Sequence, residues 1–431
     1  MDYKNKELCR LRTISFFLTL HKDKTQWEDA LYSVKRDVDL LLPAVQKAGY
    51  TLQSIRVITN PFGEYLDLTN LQTAKADLQY LTELLNKFNE SGIRLRFAIG
   101  AARNKEEIAL LPELIAAYGD LCNACVNVPL DENGVLDNEL IEQSVYAVQR
   151  IANITPRGEG NFNFTVNFNC KPFIPYFPSG YHLSHLPNSF VIGLETPDLL
   201  VEVLKSVPKS SHNQFYADCY QAMSQALQYH VDQVLEMLSA VKLSGEFEFA
   251  GIDSSAAPSK NCSSMTRLYE LMGLPYFGAA GSVEVSALLT KVFKSIQRVP
   301  LVGFSGLMLA VTEDLGLAEG TQKHYFDICA LLTYSAVCGI GLDTVPVAGN
   351  AKAESIAAIM RDTGTMAFRL NKPLTVRLFP IPNKVAGEIW IHTQLVRKQS
   401  DPQQGIKLFG YLQRVPVAGR KEADVLTLES N

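Results

Sequence analysis

The residues in this chain that could do chemistry each break an otherwise apolar or glycine-rich run. Asp253 ends the strand-like FEFAGID, and Ser254, Ser255, Ser259, Ser263 and Ser264 follow it. A carboxylate at the carboxyl end of a buried strand, then a hydroxyl-rich loop and a helix start, is how α/β folds build ligand sites. The same residue types also cap turns and helices, a role open to Asp253 and Asn261. Glu313 sits in Thr312-Glu313-Asp314 after an apolar run, where paired carboxylates suit a hard cation, acid–base work or an exposed turn. Cys338 opens CGIGLD, with Asp343 close behind it. A nucleophilic thiol needs a lowered pKa, which a helix carboxyl end opposes, so a packing cysteine before a glycine C-cap competes with catalysis there. Arg377 interrupts the apolar TVRLFP, and either pairs with a buried carboxylate or faces an anionic ligand.

Other patterns carry less. Cys122 and Cys125 have zinc-knuckle spacing without a second ligand pair, so two thiols beside a strand is the simpler reading. His182 and His185, with Cys170, could assemble a metal site, but HxxH in a Pro-rich loop is a weak signal. Gly303-Phe304-Ser305-Gly306 matches neither a P-loop nor a dinucleotide fingerprint. No metal or cofactor is assigned on these residues.

The elements that must position these side chains alternate. Strand-like runs fall at 11–20, 54–59, 93–99, 122–128, 161–169, 190–194, 247–252, 342–347 and 374–379, with a Gly-broken apolar run at 299–311. Between them lie amphipathic helical patterns, the longest from Phe215 to Val241, and helices are expected from Asn261 or Cys262, from Val283, from His324 and from Ala353. A Pro-rich aromatic loop covers Lys171 to His185. This rhythm predicts parallel sheet with helical crossovers in one α/β domain spanning 1–431, with 388–431 as a C-terminal β tail.

Of the 431 residues, 47% are apolar and 20% charged, which is enough apolar surface for a large core. The net charge of −5 and the lack of a long basic run argue against nucleic acid as a partner. Ile14–Leu20 is too short to span a bilayer and follows a mixed-charge segment unlike a signal peptide, so neither a membrane nor secretion is expected. The eight cysteines show no disulfide spacing, and a cytoplasmic location with reduced thiols is the expectation.

Arg12-Thr13-Ile14, the stretch Cys122 to Asn127, GIDSSAAPS (251–259), GFSGLMLAVTEDLG (303–316), CGIGLD (338–343) and VRLFP (376–380) resemble, in order, a family known as domain of unknown function 711, or uncharacterised protein family 0210. The resemblance implies a ten-stranded α/β barrel like that of the glycyl-radical enzymes pyruvate formate-lyase and anaerobic ribonucleotide reductase. It brings no catalytic assignments, only the matching positions Asp253, Pro258, Gly306, Glu313, Cys338, Gly341, Asp343 and Arg377. Glycyl-radical enzymes carry Arg-Val-x-Gly-aromatic near the carboxyl end. Arg414-Val415-Pro416-Val417 puts valine where that glycine belongs, and Gly419 is followed by Arg420. Radical chemistry is therefore not expected.

Three readings follow. The first is a binder of a small polar or anionic metabolite in the barrel cavity, either an enzyme of unknown reaction or the relic of one, with Asp253, Ser254, Ser255, Asp343 and Arg377 holding the ligand. Its candidate catalytic groups are Asp253, Glu313 and Cys338. The second is a non-catalytic homo-oligomeric binding or regulatory protein, with an interface on the 215–241 helix. The third uses Asp253, Glu313 and Asp343 as oxygen ligands to a metal. The first two rank ahead of the third.

Overall fold

The computed structural model describes residues 3–89, 95–259, 261–391 and 414–416. The strands are β1 (Arg10–Leu18), β2 (Ile55–Thr59), β3 (Leu95–Ala98), β4 (Gly100–Ala102), β5 (Ala124–Val128), β6 (Phe164–Phe168), β7 (Ser189–Glu195), β8 (Glu248–Asp253), β9 (Gly341–Ala348) and β10 (Leu374–Ile381). They form two five-stranded sheets, ordered β3-β2-β1-β7-β8 and β4-β5-β6-β10-β9. Each sheet is parallel except at one seam, β1 against β7 in the first and β6 against β10 in the second. Neither sheet closes on itself. A short β11 (Ile389–Ile391) pairs antiparallel with β12 (Arg414–Pro416), and the rest of the expected C-terminal β tail lies outside the described residues.

The two sheets meet at both margins. At one, β3 runs into β4 through Gly100, whose φ of +78° turns the chain; a Cβ there would lie 2.4 Å from the Thr59 carbonyl oxygen. At the other, the segment after Val299 makes a single bridge to β8 at Leu301–Ile252 and another to β9 at Ala310–Asp343. The apolar run expected at 299–311 thus has no regular ladder, because Gly303 and Gly306 break it.

Alternation along the strands sorts the side chains. Ile14, Phe16 and Leu18 of β1 join Ile55, Val57, Leu95 and Phe97 in the main core with the helices. Their neighbours Phe17, Ile58, Ala98 and Val191 point the other way and pack against Phe173 and Phe177. Those two rings belong to the Pro-rich loop, which passes between the sheets. Its Pro175 carbonyl accepts from Ser15 Oγ of β1 at 2.9 Å, and its Ser179 carbonyl accepts from Asn167 Nδ2 of β6 at 3.0 Å. Tyr181 and Leu183 pack on Ala101 and Cys125 of the second sheet. The loop therefore supplies the filling for two facing sheets, with Ile174 and Tyr176 buried and Phe173 and Phe177 half-buried.

Several helices differ from expectation. The helix expected from Asn261 begins at Thr266 (Thr266–Leu271), and the one expected from His324 begins at Ile328 (Ile328–Ser335). Helices Pro197–Lys205 and Leu315–Gln322 had no periodic pattern long enough to announce them. The long helix, His212–Ser239, spends its apolar stripe inside the chain: Phe215, Cys219, Met223, Leu227, Val231 and Val234 are all buried in the core. No helix among the described residues is long and apolar enough to cross a membrane.

Gly306 and Gly339 press together, and a Cβ on Gly306 would stand 2.6 Å from the Gly339 Cα. Gly306→Ala should therefore destabilise the protein by about 3 kcal/mol in urea unfolding. Gly134→Ala, where a Cβ meets nothing within 4 Å despite a φ of +76°, should cost only about 1 kcal/mol.

Candidate functional site

The loops that carry the sequence candidates converge on residues 303–314. Asp253 is fully buried at the end of β8. Its Oδ1 accepts from the Ser255 and Ser305 amides at 2.9 and 3.1 Å, and its Oδ2 from the Phe304 amide at 2.8 Å. Burial pushes this carboxyl up to about 6, although all three amides favour the charged form. Ser255 Oγ accepts from the Gly306 amide at 3.0 Å, and Ser254 Oγ donates to the Phe293 carbonyl at 2.6 Å. Asp253, Ser254 and Ser255 thus hold backbone, and the hydroxyl-rich loop closes on the 303–306 turn.

Further along, the Gly339 amide donates to the Leu307 carbonyl at 2.7 Å, which ties the CGIGLD stretch to the same segment. Asp314 joins a third loop to it. Its Oδ2 accepts from the Met265 amide at 2.7 Å, its Oδ1 accepts from Ser264 Oγ, and Oδ1 also caps helix Leu315–Gln322 through the Leu317 amide. The side chain at the amino end of the Thr266 helix is thus the Asp314 carboxylate, which takes the Met265 amide, and not Asn261. Ala257 (41°) and Ser305 (40°) in these loops, and Thr344 (48°) within β9, are non-glycine residues with positive φ. Such strain persists only where the surroundings impose it.

Arg377, on β10, is buried and paired. Its Nε donates to Asp343 Oδ1 at 2.7 Å, its Nη2 reaches Asp343 at 2.7 Å and Glu313 at 2.8 Å, and Nη1 donates to the Phe162 carbonyl at 3.4 Å. Burial works against its charge, but Asp343 and Glu313 outweigh it and hold the guanidinium protonated. Burial raises the Asp343 carboxyl, Glu313 adds to the rise, and Arg377 pulls it back. Of the alternatives the sequence left open for Arg377, the structure takes the buried pair. Glu313 is different in kind, since 31% of its side chain is exposed. The three groups carry two carboxylates against one cation, and the surplus charge is presented by Glu313.

The remaining candidates lie elsewhere. Cys338 is buried in the main core, its Sγ accepting the Gly341 amide at 3.4 Å. Lys372 closes the chain end above it by donating to the Ser335, Ala336 and Cys338 carbonyls. Cys122 joins the main core, whereas Cys125 faces the inter-sheet loop. His182 is fully buried among Phe17 and Phe173, its ring pushed down to about 4 by burial. Cys170 Sγ donates to the Phe168 and Leu374 carbonyls at 3.6 Å, away from any grouping with both histidines. Among the described residues no group of three or more His, Cys, Asp or Glu side chains could hold a metal ion. Asp253, Glu313 and Asp343 accordingly do not form a ligand set.

Sequence reasoning missed three contributors. Arg56 interrupts the apolar IRVIT of β2, the same signal that drew attention to Arg377, and it lies on the face of β2 that meets the loop. Tyr176, in that loop, is close enough to feel the charges of Asp253, Arg56, Arg12 and Glu195, while burial drives its hydroxyl well above the ordinary range. Glu195, fully buried at the end of β7, accepts from Arg10 at 2.9 Å and Gln53 at 2.7 Å. Arg56 in turn feels Glu313. Arg56 thus lies beside Tyr176, 6.0 Å from its ring centroid, with Asp253 in electrostatic reach of Tyr176 and Glu313 in electrostatic reach of Arg56, while Arg377 links Glu313 to Asp343.

An α/β protein of two facing five-stranded sheets, with a polar cluster where their loops meet, is the class that these features define. The chain belongs to the family described as uncharacterised ACR (DUF711), whose model matches residues 4–392. It is similar to a UPF0210 protein of Pyrobaculum aerophilum, 26% identical over 367 residues that cover 81% of this chain and 79% of the relative. A UPF0210 protein of Pyrobaculum islandicum is 28% identical over 84% of this chain and 82% of its own length. One from Methanocaldococcus jannaschii is 24% identical over 88% and 87% respectively.

The Asp253 carboxyl titrates near 6 in the fold and at 3.8 ordinarily, so the folded state binds its proton more tightly. Its contribution to stability is fully present below about pH 4 and is lost as pH rises through about 6. The stability difference between wild type and Asp253→Asn, from urea unfolding, should therefore fall by up to about 3 kcal/mol between those limits. A difference that does not change with pH would contradict a raised carboxyl.

Proposed function

We propose that this chain binds a small polar or anionic metabolite at the end of the inter-sheet space, where Glu313, Arg377 and Asp343 meet the loop closed by Asp253. The observation that carries this reading is the fixed presentation of Glu313. Arg377 is locked by Asp343 and a backbone carbonyl, and it holds a partly exposed carboxylate in one place. A preorganised acceptor of this kind suits hydroxyl or amino groups of a ligand, because little ordering remains to be done on binding. If a reaction takes place, Glu313 is the group placed to exchange a proton with a bound molecule. Asp253 and its serines shape the loop, and Cys338 lies in the core.

We read the two sheets as halves of one ten-stranded ring of the pyruvate formate-lyase type, within a single domain. Support comes from the β3–β4 run-on at one margin and the bridges of Leu301 and Ala310 at the other. The ring would make the loop 170–187 an internal plug and its end a bounded site. A cytoplasmic, reduced setting agrees with thiols that are all unpaired among the described residues. The oligomeric regulatory reading retains one feature, a groove of about 620 Å³ between helices His212–Ser239 and Ser282–Phe293, lined by Tyr216, Tyr220, Leu288 and Lys291.

A thermal-shift panel of polyols, amino acids and hydroxy acids tests the binding reading. A ligand that binds the native state raises Tm by mass action, and Glu313→Gln should abolish the rise while leaving the unliganded Tm within about 2 °C. No shift from any member, or an undiminished shift in Glu313→Gln, would reject the site.

A further inference from the structure

Another buried arginine at this end of the inter-sheet space, Arg56 of β2, differs from Arg377 in one respect. Arg56 is 8% exposed, and among the described residues it makes no ion pair. Its hydrogen bonds are long ones to neutral oxygens, Nε to Ser54 Oγ and Nη1 to the Pro175 carbonyl, both at 3.3 Å. The guanidinium lies 4.9 Å from the Phe177 ring centroid and 6.0 Å from that of Tyr176. Its β2–β3 register partner is another arginine, Arg96, and Arg12 of β1 is near enough to repel it. Burial, Arg12 and Arg96 together bring Arg56 down to about 9, an uncommon value for a guanidinium.

An arginine removed from water without a carboxylate is costly, and chains generally place one there only with a partner. Arg377 shows what the paired form looks like in this same fold, with two carboxylates on one guanidinium. Arg56 has the burial without the carboxylates. Aromatic faces on one side and carbonyl contact on another orient the guanidinium fork, and a planar fork matches an oxyanion through two parallel hydrogen bonds.

We infer that Arg56 anchors an oxyanion, the carboxylate or phosphate group of the metabolite whose polar groups meet Glu313; this rests on the binding reading above. The site is then two-ended. Arg56 takes the negative group and Glu313 takes a hydroxyl or amine, so the ligand class is a small hydroxy acid, amino acid or phosphate ester. A ligand carrying both groups satisfies the cation of β2 and the carboxylate held by β10 at once.

Thermal unfolding of the full chain at constant ionic strength, with sodium phosphate or sodium malonate replacing sodium chloride, tests the anchor. One or both oxyanions should raise Tm of the wild type, and Arg56→Met should remove that rise. Arg56→Lys, which keeps charge but loses the fork, should retain a rise with about tenfold weaker half-saturation. A response to phosphate alone assigns a phosphate ester, and a response to malonate alone assigns a carboxylic acid. Should Arg56→Met fail to fold, the Lys variant carries the comparison, and an unweakened response in it overturns the anchor. The anchor is also overturned if neither oxyanion acts beyond chloride, or if the rise survives Arg56→Met. A metabolite shift that needs Glu313 but is indifferent to Arg56 would keep the binding reading and reject the oxyanion, whereas the converse would reject Glu313 and keep Arg56.

Discussion

The grip of one buried carboxylate on three backbone amides sets the path on which this site depends. Asp253 holds Ser255, Phe304 and Ser305, and so turns the chain leaving the bridge at Leu301 toward the bridge at Ala310. That path brings Gly306 against Gly339 and delivers Glu313 to Arg377 and Asp314 to the 264–265 backbone. Amides and carboxylate satisfy one another out of reach of bulk solvent, where leaving either unpaired would cost several kcal/mol. The segment can therefore be irregular and still well determined.

A second constraint acts across the sheets. Two sheets that face each other leave a space that helices cannot reach, and here a loop fills it. Phe173, Phe177, Tyr176 and Tyr181 supply the apolar bulk, while Pro175 and Ser179 spend their carbonyls on polar side chains of the strands. The strand faces turned to that loop carry Thr13, Ser15, Arg56, Thr165, Asn167, Thr375 and Arg377, all buried. Polar groups so placed must find partners inside the protein or in a ligand. Arg377 finds two carboxylates, and the contrast with Arg56 gives the interior its asymmetry of charge.

The family to which the chain belongs carries no reaction in its description, so chemistry has to be argued from the side chains. The thiol that the sequence made conspicuous is packed in the core, the histidine pair is not grouped with a third ligand, and the buried aspartate is occupied with backbone. Two groups differ from these: Glu313, a partly exposed carboxylate held by Arg377, and Arg56, a cation without an ion pair among the described residues.

Much of the architecture was legible in the chain itself. Period-two runs such as NFNFTVNFN and the helical stripe from Phe215 marked their elements, because alternation and 3.6-residue spacing are local consequences of burying one face. Asp253, Glu313, Asp343 and Arg377 stood out singly, Arg377 because a charge inside an apolar run has to be explained by a partner. Partnership was not legible. Whether Arg377 meets Asp343 or a ligand, which side chain stands at the amino end of helix 266–271, and why Arg56 matters all depend on side chains tens to hundreds of residues away. The sequence by itself determined which residues had to be buried and which charges would be anomalous there. Only the tertiary structure decided which anomalies cancel, because pairing depends on distances that no local pattern encodes.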